Sequence, residues 1–162
     1  VSYFDPRPGY PTSMDVKKRI NSSNMCPIIC TEDDRSYFAI GASGANHIVP
    51  CTMQIAGFLI DYNLSIEEAF NLPRIDVNES DVINVDTSID IQIIEELEKH
   101  FKIVKSQNLV FPKLYSCPSG VLRNSDGINY GIADKSSPVA GGKIEEDFII
   151  KFSKKLDTKV RA

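Results

Sequence analysis

The chain has 162 residues, which at about 150 residues per domain predicts one compact domain or one large piece of a bigger protein. Its composition, 42% apolar and 25% charged with nine Gly and nine Pro, excludes a collagen-like, low-complexity or wholly disordered chain. Eighteen basic against 22 acidic residues give a net charge of −4 with no strongly basic block, so a nucleic-acid partner is not expected. The longest run without charged residues, Ser36 to Ile60, is interrupted by Ser43, Asn46, His47, Pro50, Thr52 and Gln54 and does not read as a membrane span.

Residues 1–24 carry Pro6, Pro8, Gly9 and Pro11 with little apolar periodicity, which predicts an extended segment that leans on other structure. Residue 1 is Val, with neither a basic nor an apolar leader after it, and the reading expects a processed or trimmed chain. The main domain is expected over 25–142. Pro27 to Thr31 and Ser36 to Ile40 are apolar runs around the charged turn Glu32-Asp33-Asp34-Arg35, which predicts a hairpin. After Gly41-Ala42-Ser43-Gly44-Ala45-Asn46, the apolar residues between Ile48 and Ile60 surround the whole helix circumference. They predict a buried helix with Pro50 in its first turn.

Ser65-Ile66-Glu67-Glu68 fits a capping box, starting a short helix that Pro73 stops. Val82 to Val85 reads as a strand, Ile89, Ile93, Ile94 and Leu97 as the inner stripe of a helix ending near His100, and Phe101 to Lys105 as a strand. Gly120 to Arg123 and Asn129 to Ala133 flank the turn Asn124-Ser125-Asp126-Gly127. This order predicts an α+β domain with helices on at least one sheet face, followed by an appendage over 143–162.

Cys26, Cys30, Cys51 and Cys117 are separated by 3, 20 and 65 residues, which matches no metal-binding spacing. Neither metal nor cofactor is expected, and the thiols read as reduced, as in a cytoplasmic protein, with a single disulfide as the alternative. Of the two histidines, His100 closes an amphipathic helix, where an imidazole suits the negative dipole end. His47 reads as a hydrogen-bonding residue at a helix start, with a base role as the alternative. The run from Gly41 to Asn46 between a strand and a helix leaves backbone amides free at a helix N-terminus. It has neither the Lys-Ser/Thr nor the glycine spacing of nucleotide loops, which leaves an oxyanion hole or a tight packed connection.

Several segments together resemble the gamma-glutamyltranspeptidases of the N-terminal nucleophile hydrolase superfamily. Tyr3-Phe4-Asp5-Pro6-Arg7-Pro8-Gly9 is similar to a segment of the bacterial and archaeal branch. Ser23-Asn24-Met25-Cys26-Pro27 resembles the family's Ser-Ser-Met-Ser-Pro, and Gly41 to Ile48 its Gly-Ser-Pro-Gly-Gly-Ser-Arg-Ile. Ile60-Asp61-Tyr62-Asn63, Glu68-Ala69, Pro73-Arg74-Ile75 and Tyr130-Gly131-Ile132-Ala133-Asp134 follow in the family's order. The resemblance covers most of residues 3–142 and implies part of the small chain of an αββα sandwich.

What the resemblance implies is acyl transfer from a γ-glutamyl amide, such as glutathione, to water or an amino acid. The family's nucleophile is an N-terminal Thr, which would lie on a segment outside this chain, and a large-subunit chain is the implied partner. By position, Gly44 and Ala45 match the glycines whose amides form the oxyanion hole, and Ser23 and Asn24 match the serines that hold the substrate carboxylate. Ala45 adds a methyl where φ is expected to be positive. Asn24 is larger than Ser and favours an acyl group other than γ-glutamyl as the alternative substrate. Arg74 matches the Pro-Arg step, with no His after it, and reads as a salt bridge or loop anchor. A noncatalytic scaffold derived from the same fold is the rival expectation.

Overall fold

The computed structural model describes residues 24–77, 82–109, 114–137 and 141–144. The segment before Asn24, Ser23 included, and most of the expected appendage lie outside the described residues. Two sheets form: a five-stranded antiparallel one in the order β1-β2-β6-β7-β8 and a three-stranded one in the order β3-β4-β5.

Strands β1 (Ile28–Glu32) and β2 (Arg35–Ser43) make the expected hairpin. Asp33 and Asp34 turn it with φ of 47° and 61°, the two positive values that a tight turn matched to strand twist requires. The second hairpin, β6 (Cys117–Arg123) and β7 (Asn129–Ala133), turns at Gly127, whose φ is 84°. β2 pairs with β6 from Phe38↔Leu122 to Ser43↔Cys117, which joins the two hairpins into one sheet. β8 (Lys143–Ile144) extends it against β7, a pairing too short to leave a periodic signal in sequence.

Helices α1 (Ile48–Ile60) and α2 (Ile66–Asn71) pack on one face of this sheet. Alternation along β2 turns Phe38 and Ile40 inward, where they meet Ile55, Leu59 and Phe70. Gly120 permits that contact, because a Cβ there would lie 2.8 Å from both Ile40 Cγ2 and Phe70 Cζ. The capping box of α2 forms as read: Ser65 Oγ accepts from the Glu68 amide, and the Glu68 carboxylate accepts from the Ser65 amide.

Helix α1 differs from the expectation of burial all round. Val49, Met53 and Ile60 are exposed, with Met53 at 62%, so its apolar circumference exceeds what the described residues cover. The opposite face of the five-stranded sheet is also open, with Ile29 at 77% and Val121 at 54% exposure.

The smaller sheet holds β3 (Ile75–Val77), antiparallel to β4 (Val82–Asp86), and β5 (Lys102–Ser106), parallel to β4. Helix α3 (Ile91–Glu98) makes the crossover and seats Ile94 on Ile83 and Val85. β3 has no counterpart in the sequence reading, since three residues directly after Pro73-Arg74 show no alternation to detect. Among the described residues no helix is long and apolar enough to cross a membrane.

Candidate active site

β2 delivers the chain into the turn at Gly44 and Ala45, from which a single 3-10 turn (Ala45–His47) leads into α1. Gly44 has φ 144° and Ala45 φ 54°, so both residues lie in the half of conformational space that L side chains rarely occupy. The expectation of a positive φ at Ala45 holds, and the methyl is carried at a conformational cost of about 1 kcal/mol. Among the described residues neither amide of this pair meets an acceptor, while the Gly44 carbonyl accepts from the His47 amide at 3.1 Å. Two amides without acceptors at the start of a helix are chemically able to receive an anion.

Buried polar side chains support this turn from below. Ser116 lies directly under Gly44, where a Cβ would come within 2.9 Å of Ser116 Cα, so only glycine fits. Ser116 Oγ donates to the Ser43 carbonyl at 2.8 Å. Arg74 then reaches Ser116 from the other side: its Nη2 donates to Asp134 Oδ2 at 2.9 Å and makes a long contact of 3.5 Å with the Ser116 carbonyl, while Nη1 donates to the Phe70 carbonyl. Arg74 is thus the salt bridge that the sequence suggested, with Asp134 as its partner. Burial works against the Asp134 charge, but hydrogen bonds from the Ser136 hydroxyl and amide, together with Arg74, prevail and hold its carboxyl below the usual range.

His47 takes the helix-start role. Its Nδ1 hydrogen-bonds to Asp76 Oδ2 on β3 at 2.7 Å, and the Asp76 side chain is 3% exposed. His100 lies past the end of α3, its ring exposed and 3.7 Å from Glu96. Asn24 is half-buried, outside any strand or helix, and makes no hydrogen bond to Gly44 or Ala45. Arg74, Asp134, Ser116 and Asp76 around the turn come from four separate segments, so no local pattern in the sequence groups them. A Pro-Arg step and a strand ending in Asp were the only local signals.

No strong nucleophile stands among these groups. Cys26, Cys30, Cys51 and Cys117 form no disulfide with one another, with Cys51 buried and the other three half-buried. Burial pushes the Cys51 thiol up to about 11; Arg74 and a Ser116 hydrogen bond offset this in part, and Asp134 and Asp76 add to it. A thiol held there stays protonated near neutral pH and is inert. Among the described residues no three His, Cys, Asp or Glu side chains gather as a metal site requires. A cleft of about 880 Å³ lies between the hairpin tips, lined by Glu32, Arg35, Arg123 and Asp126. It sits at the Arg35 end of β2, roughly 26 Å along the strand from Ser43, so it is no part of this site.

The chain matches the family model described as gamma-glutamyltranspeptidase over residues 3–141. It is 31% identical over 131 residues to the acylase ACY 1 proenzyme of a Pseudomonas species, a match covering 80% of this chain and 22% of the relative. It is 26% identical over 116 residues to the glutathione hydrolase proenzyme of Escherichia coli, covering 71% of this chain and 19% of the relative. The chain therefore spans about a fifth of the length of these curated relatives. Its fold superposes on a mutant of Helicobacter pylori gamma-glutamyltranspeptidase with a TM-score of 0.67 at 24% identity, covering 83% of this chain and 77% of that one.

Proposed function

Because this chain belongs to the gamma-glutamyltranspeptidase family, we propose that it supplies the oxyanion-stabilising part of an acyl-transfer site acting on γ-glutamyl amides such as glutathione. The observation that carries the reading is the Gly44–Ala45 turn, two positive-φ residues whose amides meet no acceptor among the described residues. The nucleophile, an N-terminal Thr in this reading, belongs to a segment outside this chain and uses its own α-amine as base. Its hydroxyl attacks the γ-carbonyl carbon, the amine takes the proton, and the negative carbonyl oxygen is received by the amides of Gly44 and Ala45. One such donor is worth about 3 kcal/mol of transition-state stabilisation. Collapse expels the amine leaving group with the proton, and water or an amino-acid amine then takes the acyl group. Ser23 and Asn24 hold the substrate carboxylate in this scheme.

The open sheet face at Ile29 and Val121 and the exposed side of α1 at Met53 support a further part of the reading. Apolar surface left on both sides of one chain fits a second sheet and a large-subunit chain completing an αββα sandwich. An acylase acting on another amide is the second reading, favoured by Asn24 where the family has Ser and by the higher identity to the acylase relative.

The test is γ-glutamyl-anilide cleavage by the natively isolated protein, with the intact mass and N-terminal sequence of every chain present. The reading expects aniline release and an accompanying segment that begins with Thr. Cleavage of other acyl anilides in preference would favour the acylase, and no cleavage by the complete set of chains would leave a scaffold.

A further inference from the structure

The Gly44–Ala45 turn is held on one side by Ser116, and on the other by a contact that the acyl-transfer scheme does not use. His47, the last residue of the 3-10 turn, directs Nδ1 at Asp76 Oδ2 across 2.7 Å. A carboxylate only accepts, so Nδ1 carries the proton and Asp76 dictates both the tautomer and the ring orientation. Asp76 itself cannot drift. Its neighbour Ile75 is fastened to α1 through Gln54, which donates to the Ile75 carbonyl at 2.7 Å and accepts from its amide at 3.0 Å. β3 further pairs with β4 through Asp76↔Asn84, and the Asp86 amide donates to the Arg74 carbonyl. Helix α1 is thus tied to β3 at two points, by Gln54 in its middle on Ile75 and, just before its first residue, by His47 on Asp76, His47 also ending the 3-10 turn. Remove that second point, and the turn holding Ala45 at φ 54° keeps its backbone bonds, His47 N–H to the Gly44 carbonyl and Ile48 N–H to the Ala45 carbonyl, but loses its side-chain tie to β3.

Resting on the acyl-transfer reading above, we infer that His47 and Asp76 are a positioning pair that sets the direction of the Gly44 and Ala45 amides for the oxyanion. The pair acts through the backbone of the 3-10 turn, and the imidazole Nδ1, rather than Nε2, is the atom that matters.

The test compares variants of the natively isolated protein in γ-glutamyl-anilide turnover and in amide hydrogen exchange. In His47→Ala and in Asp76→Ala, kcat is expected to fall about tenfold to a hundredfold, as misplacing catalytic groups by an ångström does. KM should stay within about twofold, since the lost interaction belongs to the transition state. The double variant should be no worse than either single one, because the two residues act as one unit. His47→Asn should recover most of the activity, since its Nδ2 donates from the place of Nδ1. His47→Gln fills the volume of the ring without a donor there and should stay impaired; it carries the test where His47→Ala does not fold.

The hydrogen-bonded amides of the turn, His47 on the Gly44 carbonyl and Ile48 on the Ala45 carbonyl, should exchange faster in the impaired variants and return to wild-type rates in His47→Asn, with the Ile55 to Leu59 region unchanged. Wild-type kcat and exchange in both alanine variants would overturn the inference. So would His47→Asn being as poor as His47→Ala, which would make Nε2 a catalytic group. If the wild-type protein cleaves no γ-glutamyl anilide, the acyl-transfer reading fails, and the exchange rates of the His47 and Ile48 amides alone decide whether the pair sets the turn.

Discussion

Arg74 and Asp134, sixty positions apart in the chain, meet as an ion pair of 2.9 Å with both side chains nearly inaccessible to solvent. The pair ties the segment after α2 to the end of β7, and Arg74 also touches the Ser116 carbonyl beneath the proposed oxyanion turn. Breaking a buried pair from one side leaves an uncompensated charge, which costs about 3–5 kcal/mol. Arg74→Met should therefore lower the urea midpoint strongly at pH 7. The double change Arg74→Met with Asp134→Leu should recover part of the loss, because no charge is then stranded.

The same pair predicts how stability depends on pH. The folded-state pKa of Asp134 lies below its ordinary value, so the unfolded chain takes up a proton first as pH falls. Its contribution is complete above the unfolded value of about 3.9 and is lost as pH falls from there through the lower folded value. Acid unfolding of the wild-type protein compared with Asp134→Asn checks this. The variant should be less stable at pH 7, and the gap should narrow below about pH 4.

Gly44 and Ala45 should respond in opposite directions to a change of one methyl group. Gly44→Ala places Cβ 2.9 Å from Ser116 Cα at φ 144°, so the turn must move and stability should fall by about 1–3 kcal/mol. Ala45→Gly removes the penalty of the left-handed conformation but increases unfolded-state entropy, so the net change should lie within about 1 kcal/mol on the stabilising side. Denaturant unfolding of both variants measures the contrast.

Cys51 should resist modification in the folded protein. With its thiol pushed up to about 11, the thiolate fraction at pH 8 is about one in a thousand, and the side chain is buried among Ile55, Leu59 and Phe70. Iodoacetamide treatment followed by peptide mass analysis should leave Cys51 unlabelled until denaturant is added. Labelling under native conditions would show that α1 opens locally.

Gly120 tests the packing of α2 on the sheet. A methyl added there would meet Ile40 Cγ2 and Phe70 Cζ at 2.8 Å, inside contact distance. Gly120→Ala should cost about 1–3 kcal/mol through overpacking, and the shorter Phe70→Leu in the same chain should recover part of it. Thermal unfolding of the single and double variants gives the comparison.

Local physics made much of this molecule legible in advance. The hairpin around Asp33-Asp34, the Ser65–Glu68 capping box and the Asn124–Gly127 turn each rest on a few neighbouring residues, so their signals survive in sequence. The ordered motifs from Tyr3 to Asp134 carried the family, and the strand-to-helix run marked Gly44 and Ala45. Which contacts hold that turn was decided only when the chain folded. Ser116, Asp76, Arg74 and Asp134 are ordinary residues in their own segments, and become partners only once two sheets bury them together. The apolar sides of α1 show the same limit. Periodicity registers that Met53 and Ile60 are apolar, whereas whether surface is covered depends on every element packed around it, and this chain leaves both residues exposed.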